Sequence, residues 1–210
     1  MKKLLFCILV SVSFHAVFAA PSEIIIVRHG DKTVHSSPEW KKNHGSDYVL
    51  SAKGVVRSVK LAQYVIKKFK SVDHVIAPVP QDMATDASSI RPETTAGPIV
   101  NMMASESPNG FKLKLLFSDK DYSALAHLLL TDKQFDHQRV LIIWNHNMIP
   151  QLANLLGIKE KLPVWPSSDF DSVYILNYTD NGKLSHWQHL EKQYPIDKEI
   201  SWDAISALGN

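Results

Sequence analysis

Glu23-Ile24-Ile25-Ile26-Val27-Arg28-His29-Gly30 is the stretch from which the fold can be read. Ile24 to Val27 are all β-branched, and the run is continuously apolar rather than alternating. A strand of that kind is buried on both faces, as strands of parallel sheets are when helices cover both sides. The run stops on two polar side chains and a glycine that permits a sharp turn. In open α/β sheets, sites form just beyond the carboxyl ends of such strands. Arg28 and His29 are therefore the first candidates for chemistry.

Downstream, strands alternate with helices. Ser51 is positioned to cap a helix running to about Lys70, with Val55, Val59, Ala62, Val65, Ile66 and Phe69 at helical spacing. His74-Val75-Ile76-Ala77 reads as a second strand, stopped by Pro78 and Pro80. Pro92 suits the first turn of a helix continuing to about Ser105. Residues 111–117 are expected as a strand, 122–130 as a helix and 140–144 as a buried strand. A helix over 148–156 would close on Gly157. Residues 172–177 and 184–189 complete the set as a strand pair. The pattern predicts a three-layer α/β/α sandwich with a mainly parallel central sheet. Two polar, irregular loops, 33–49 and 159–171, are expected at the mouth of any site, with Trp40, Tyr48 and Trp165 able to face a substrate or simply to pack.

The N-terminus has a different character. Met1-Lys2-Lys3 is a basic start, residues 4–17 are almost wholly apolar, and Val17-Phe18-Ala19 suits a signal peptidase. Residues 1–19 are expected to be a cleaved signal peptide and 20–210 a single domain, periplasmic or secreted. The apolar run is shorter than the roughly 20 residues a bilayer span needs, so no membrane span is expected in the mature protein. Loss of Lys2 and Lys3 leaves acidic and basic side chains in balance, which argues against a nucleic-acid surface. The single cysteine, Cys7, would leave with the leader, so the mature chain would have no disulfide.

Two further segments carry candidate chemistry. Ile90-Arg91-Pro92-Glu93-Thr94-Thr95-Ala96 puts an arginine just before a helix, and Trp144-Asn145-His146-Asn147 puts a histidine at the end of a buried strand. A neutral imidazole is a nucleophile toward phosphorus, and a guanidinium holds phosphate oxygens in a fork. A strand-end histidine near the start of a helix can add an N–H donor to an anion. The remaining histidines show no tight zinc-ligand spacing, and no metal or other cofactor is expected.

Taken in order, Arg28-His29-Gly30, Leu50-Ser51-x-x-Gly54, Arg91 with Thr94-Thr95-Ala96, and His146 resemble the histidine phosphatase superfamily, which includes the cofactor-dependent phosphoglycerate mutases. Ala77-Pro78-x-Pro80, Arg91-Pro92, Pro163-x-Trp165-Pro166 and Asp169-Phe170-Asp171-Ser172-Val173-Tyr174 look similar to a bacterial branch of it. The resemblance implies that His29 becomes phosphohistidine while Arg28, Arg91 and His146 compensate the phosphoryl oxygens. It implies a phosphoric monoester hydrolase acting on a small phosphorylated substrate. In the mutase-like branch a glutamate in a Leu-Asn-Glu-Arg-His-Tyr-Gly stretch is the proton donor. Aligned without gaps, Asp119 of Phe117-Ser118-Asp119-Lys120-Asp121-Tyr122 falls at that glutamate and Tyr122 at the tyrosine. Asp121 and Asp31 are the reserve acids, and an aspartate here could equally cap the following helix.

The chain departs from the family at three points. His35 stands where the mutase-like enzymes have an asparagine, and is carried with Tyr122 as a candidate substrate contact. The Ser-Ser-Pro-like approach to the second arginine is missing, and Asn145 stands where the related branch often has glutamate. Two other functions fit the same residues: a phosphatase for envelope phosphosugars such as lipopolysaccharide core, and a non-catalytic module that keeps the pocket as an anion site.

Overall fold

The computed structural model describes residues 19–34, 48–80, 89–106, 111–196 and 200. Residues 1–18 of the expected signal peptide 1–19, His35, Trp40 and most of loop 33–49 lie outside the described residues.

Six strands form one sheet: β1 (Glu23–Arg28), β2 (His74–Ala77), β3 (Leu113–Leu115), β4 (Arg139–Trp144), β5 (Val173–Tyr178) and β6 (Leu184–Leu190). Four helices are α1 (Ala52–Phe69), α2 (Arg91–Glu106), α3 (Tyr122–Thr131) and α4 (Ile149–Leu155). The strand order is β3-β2-β4-β1-β5-β6. The first four are mutually parallel, and β5 and β6 are added antiparallel. The mixed sheet keeps the mainly parallel core that the sequence predicts.

The all-apolar reading of β1 has a direct counterpart. Ile24 and Ile26 pack on the face covered by α3 and α4 with Leu125, Leu129, Ile142 and Leu152. Ile25 and Val27 pack on the other face with Leu61, Val65 and Phe69 of α1 and Ile99 of α2. All four strand residues are fully buried, each contributing about 1.5–3 kcal/mol of transfer free energy. The central strand thus anchors both layers, and its carboxyl end is held fixed. Among the described residues, no helix is long and apolar enough to cross a membrane.

One local expectation changes, one element is new and one alternative is decided. The strand expected over 111–117 is only Leu113–Leu115, because Phe117 takes a positive φ of 60° and turns the chain. The ladder fades rather than stops: the Leu116 N–H donates to the Ala77 carbonyl, and the Val79 N–H to that of Phe117. A 3₁₀ turn, Lys133–Phe135, enters between α3 and β4 and buries Phe135, with Asp132 accepting from the Gln134 N–H. Trp165 is buried with its ring tilted against that of Tyr174, centroids 5.0 Å apart, so it packs the core rather than facing a substrate. The Ser51 cap stands as expected, its hydroxyl accepting from the Gly54 N–H at 3.1 Å.

Candidate active site

β1 and β4 are parallel neighbours in register, with Arg28 opposite Trp144. Their carboxyl ends therefore deliver His29 and the Asn145-His146 pair side by side. The His29 N–H continues the ladder by donating to the Trp144 carbonyl at 3.3 Å.

The His29 ring is buried, and its Nδ1 lies 2.8 Å from the Gly30 carbonyl oxygen. A carbonyl only accepts, so Nδ1 carries the proton and Nε2 keeps its lone pair. Burial pushes the ring well below its ordinary pKa, with Arg91, Arg28 and His146 adding to the shift and the Gly30 bond opposing it. At neutral pH the imidazole is therefore uncharged and its tautomer fixed. Arg28, Arg91 and His146 are thus all close enough to His29 to disfavour its charged form.

Arg28 has a second occupation that its sequence context does not reveal. Its Nη1 donates to the carbonyls of Pro166, Ser167 and Asp169 at 3.3, 2.8 and 2.8 Å, and its guanidinium lies 3.6 Å from the centre of the Phe170 ring. It ties the 166–170 loop to the strand end, while its Nε is buried with no hydrogen-bond partner. Burial lowers its pKa to about 10, with Arg91 next among the causes, so it stays charged at neutral pH.

The turn after His29 is clamped by two neighbours. The Gly30 N–H donates to Thr95 Oγ1 at 2.9 Å, and that hydroxyl donates to the Arg91 carbonyl at 2.7 Å. One threonine thus joins the nucleophile's turn to the start of α2, where Arg91 Nε donates to Ser89 Oγ at 2.7 Å. On the other side, Gly30 and Asp31 pack directly on Gly54 at the start of α1. The Leu50-Ser51-x-x-Gly54 element is there to allow this approach.

The three acid candidates separate by position. Asp31 is bound to Arg57, a buried arginine that also reaches Asp171 at 3.4 Å and the Tyr194 carbonyl at 3.3 Å. This ion cluster stands beneath the turn, and burial raises the Asp171 pKa despite Arg57. Asp121 accepts from Ser118 Oγ at 2.7 Å, and its carbonyl starts α3. Asp119 lines the same small cavity as His29, together with Pro78, Val79, Ser89, Pro92 and Asn145. Tyr122 packs against the core under α3 and is not among the residues lining that cavity.

His146 is half-buried, with a pKa lowered to about 4 by burial first and then by Arg28, Lys32 and Arg91. Its Nδ1 is buried without a partner. A histidine lowered from 6.5 favours the folded state only while neutral. The unfolded chain takes up protons first, so stability is complete above about pH 6.5 and declines toward pH 4. His29 acts in the same direction. The melting temperature should fall on acidification through this window, and inorganic phosphate should offset the fall by favouring the imidazolium. A His146→Gln variant should show a shallower decline. A wild-type melting temperature that holds steady across the window would contradict this electrostatic picture.

No family model and no curated protein sequence matches the chain. Solved structures do. The protein histidine phosphatase SixA complexed with tungstate aligns with a TM-score of 0.50 at 17% identity, over 80% of this chain and 96% of that one. A mycobacterial glucosyl-3-phosphoglycerate phosphatase aligns at 0.45 and 15% identity, over 81% and 97%. A phosphoglycerate mutase from Plasmodium falciparum aligns at 0.42 and 14%, over 86% and 97%. With its six-stranded sheet and helices on both faces, the chain has the phosphoglycerate mutase-like fold of the histidine phosphatases.

Proposed function

We propose that this protein is a phosphatase that hydrolyses a phosphomonoester through a phosphohistidine on His29. The observation that carries this reading is the state of the His29 ring: buried, neutral, with Nδ1 engaged by Gly30 and three basic side chains in electrostatic reach. The unpartnered buried Nε of Arg28 and Nδ1 of His146 support it further, since an oxyanion would supply what those atoms lack.

In the first step Nε2 attacks phosphorus. The bond from phosphorus to the leaving oxygen breaks, its electron pair stays on that oxygen, and Asp119 supplies the proton. In the second step water attacks the phosphohistidine, Asp119 takes the water proton, and the nitrogen–phosphorus pair returns to Nε2. Arg28, Arg91 and His146 compensate the charge on the phosphoryl oxygens, the part that cationic groups play in phosphoryl transfer generally. The reaction is proposed as metal-independent. His35 keeps its proposed place as a substrate contact.

The proposed setting is the periplasm or the exterior, after cleavage near Ala19. The Ala20 nitrogen lies 3.4 Å from Asp136 Oδ1, a counter-charge for a newly freed amino terminus. Phosphorylated envelope sugars are the narrower substrate class that this setting favours.

The test is phosphate release from 4-nitrophenyl phosphate and a phosphosugar panel by exported protein whose N-terminus has been sequenced. Turnover should persist in chelator and be competitively inhibited by tungstate, the oxyanion bound in the SixA structure. Tight phosphate binding without turnover on any ester would instead support the anion-binding module.

A further inference from the structure

We infer that Asn145 is a positioning residue that decides which oxygen of Asp119 gives up the proton. This role rests on the phosphatase reading above. Asn145 Nδ2 donates to Asp119 Oδ2 at 3.1 Å. The amide cannot be turned round, because Asn145 Oδ1 accepts from the Asn147 N–H at 3.2 Å. Asn145 therefore presents hydrogens, never a lone pair, to the carboxyl group. Oδ2 can only accept there, which leaves Oδ1 as the oxygen that carries the transferable proton.

The main chain is held as firmly. The buried Trp144 indole donates from Nε1 to the Asp119 carbonyl at 3.1 Å. The left-handed Phe117, two residues earlier, turns the chain back over the strand ends. Three consecutive residues at the end of β4 thus act together. Trp144 holds the Asp119 backbone, Asn145 holds its side chain, and His146 stands by the phosphoryl site.

The same geometry calls for an amide rather than an acid at 145. A carboxylate at 145 would face the carboxylate of Asp119 and could approach it only by holding a proton of its own. Asparagine gives the same reach with a donor in place of a second acid.

The consequence is a dependence on the leaving group. An alkyl phosphate needs its departing oxygen protonated, whereas 4-nitrophenolate leaves with little help. Asn145→Ala and the near-isosteric Asn145→Asp should each lower kcat on an alkyl phosphate by about 10- to 100-fold, with KM nearly unchanged. Both should leave the pre-steady-state burst of 4-nitrophenolate, which reports the first step alone, within about threefold of wild type. In an Asp119→Asn background, itself about 100-fold or more slower on the alkyl ester, adding Asn145→Ala should cost nothing further, because the two act as one unit. Thermal melts of all variants identify any that fail to fold.

Equal losses in the first step on both esters would overturn the role, as would additive losses in the double variant or wild-type activity in Asn145→Asp. A wild type that turns over neither ester removes the phosphatase reading and this role with it.

Discussion

His29→Ala should abolish turnover, by on the order of 10⁴-fold or more, while leaving the protein folded and able to bind phosphate. Each part of that expectation follows from a different feature of the ring. Turnover goes because the groups left around the phosphoryl site cannot replace the nucleophile: Arg28 and Arg91 are cations without a free lone pair, and His146 is an oxyanion donor in the proposed mechanism. Folding survives because β1 is held by Ile24 to Val27 on both faces, not by the imidazole. The wild-type ring is held uncharged against its natural titration, so its removal also relieves an acid-sensitive element. The melting temperature of the variant should therefore fall less on acidification than that of wild type. Binding survives because the basic side chains remain. Three measurements separate these parts: initial rates, a phosphate titration followed by calorimetry, and trapping of labelled phosphoprotein after rapid quench. The trapped species should be acid-labile and base-stable, and absent from the variant. Undiminished turnover in His29→Ala would end the mechanism. Equal inactivity of both proteins with intact binding would favour the anion-binding module.

The architecture was legible because one strand is apolar on every side. Ile24-Ile25-Ile26-Val27 can only be buried twice over, which calls for helices on both faces of a parallel sheet. The ends of β1 and β4 were equally legible, since polar residues follow buried runs abruptly at Arg28-His29 and at Asn145-His146. What escaped the sequence are partnerships between segments far apart in the chain. Arg28 and the 166–170 loop are separated by about 140 residues, and no local periodicity links them. Arg57 looks like an ordinary helical arginine, yet it is buried between Asp31 and Asp171. That pairing removes Asp31 from the acids that face the cavity. Phe117 falls in an apolar run that reads as strand, and its left-handed backbone is a response to the tertiary turn that brings Asp119 over the site. Thr95 was visible only as part of a motif; its use, joining Gly30 to Arg91, appears once α2 and the turn are side by side.

Gly54→Ala should be among the most damaging substitutions outside the reacting groups, although the side chain it adds is a single methyl. A Cβ at Gly54 would stand 2.2 Å from the Asp31 carbonyl oxygen and 2.9 Å from the Asp31 nitrogen. Both are backbone atoms, so no rotamer change relieves the overlap. Either α1 moves away, losing the bond from the Ser51 N–H to the Asp31 carbonyl and the packing of Leu61 and Val65, or the 29–31 turn moves, carrying His29 with it. The first route costs stability, about 3 kcal/mol by the usual scale of overpacking. The second loosens the Gly30 contact with Thr95 and displaces Nε2, and about 1 Å of misplacement costs on the order of 100-fold in rate. The variant should therefore lose both melting temperature and kcat, with phosphate affinity reduced less than kcat. Gly97→Ala is the matched control. It lies within α2, and a Cβ there meets nothing within 4 Å beyond its own helix's backbone and its chain neighbours. Helix propensity favours alanine there, but Pro98 follows within the helix and its ring opposes a Cβ on the preceding helical residue, so stability should change by no more than about 1 kcal/mol, with activity unchanged. If Gly54→Ala were as benign as Gly97→Ala, the close seat of the nucleophile's turn on α1 would not be what fixes His29.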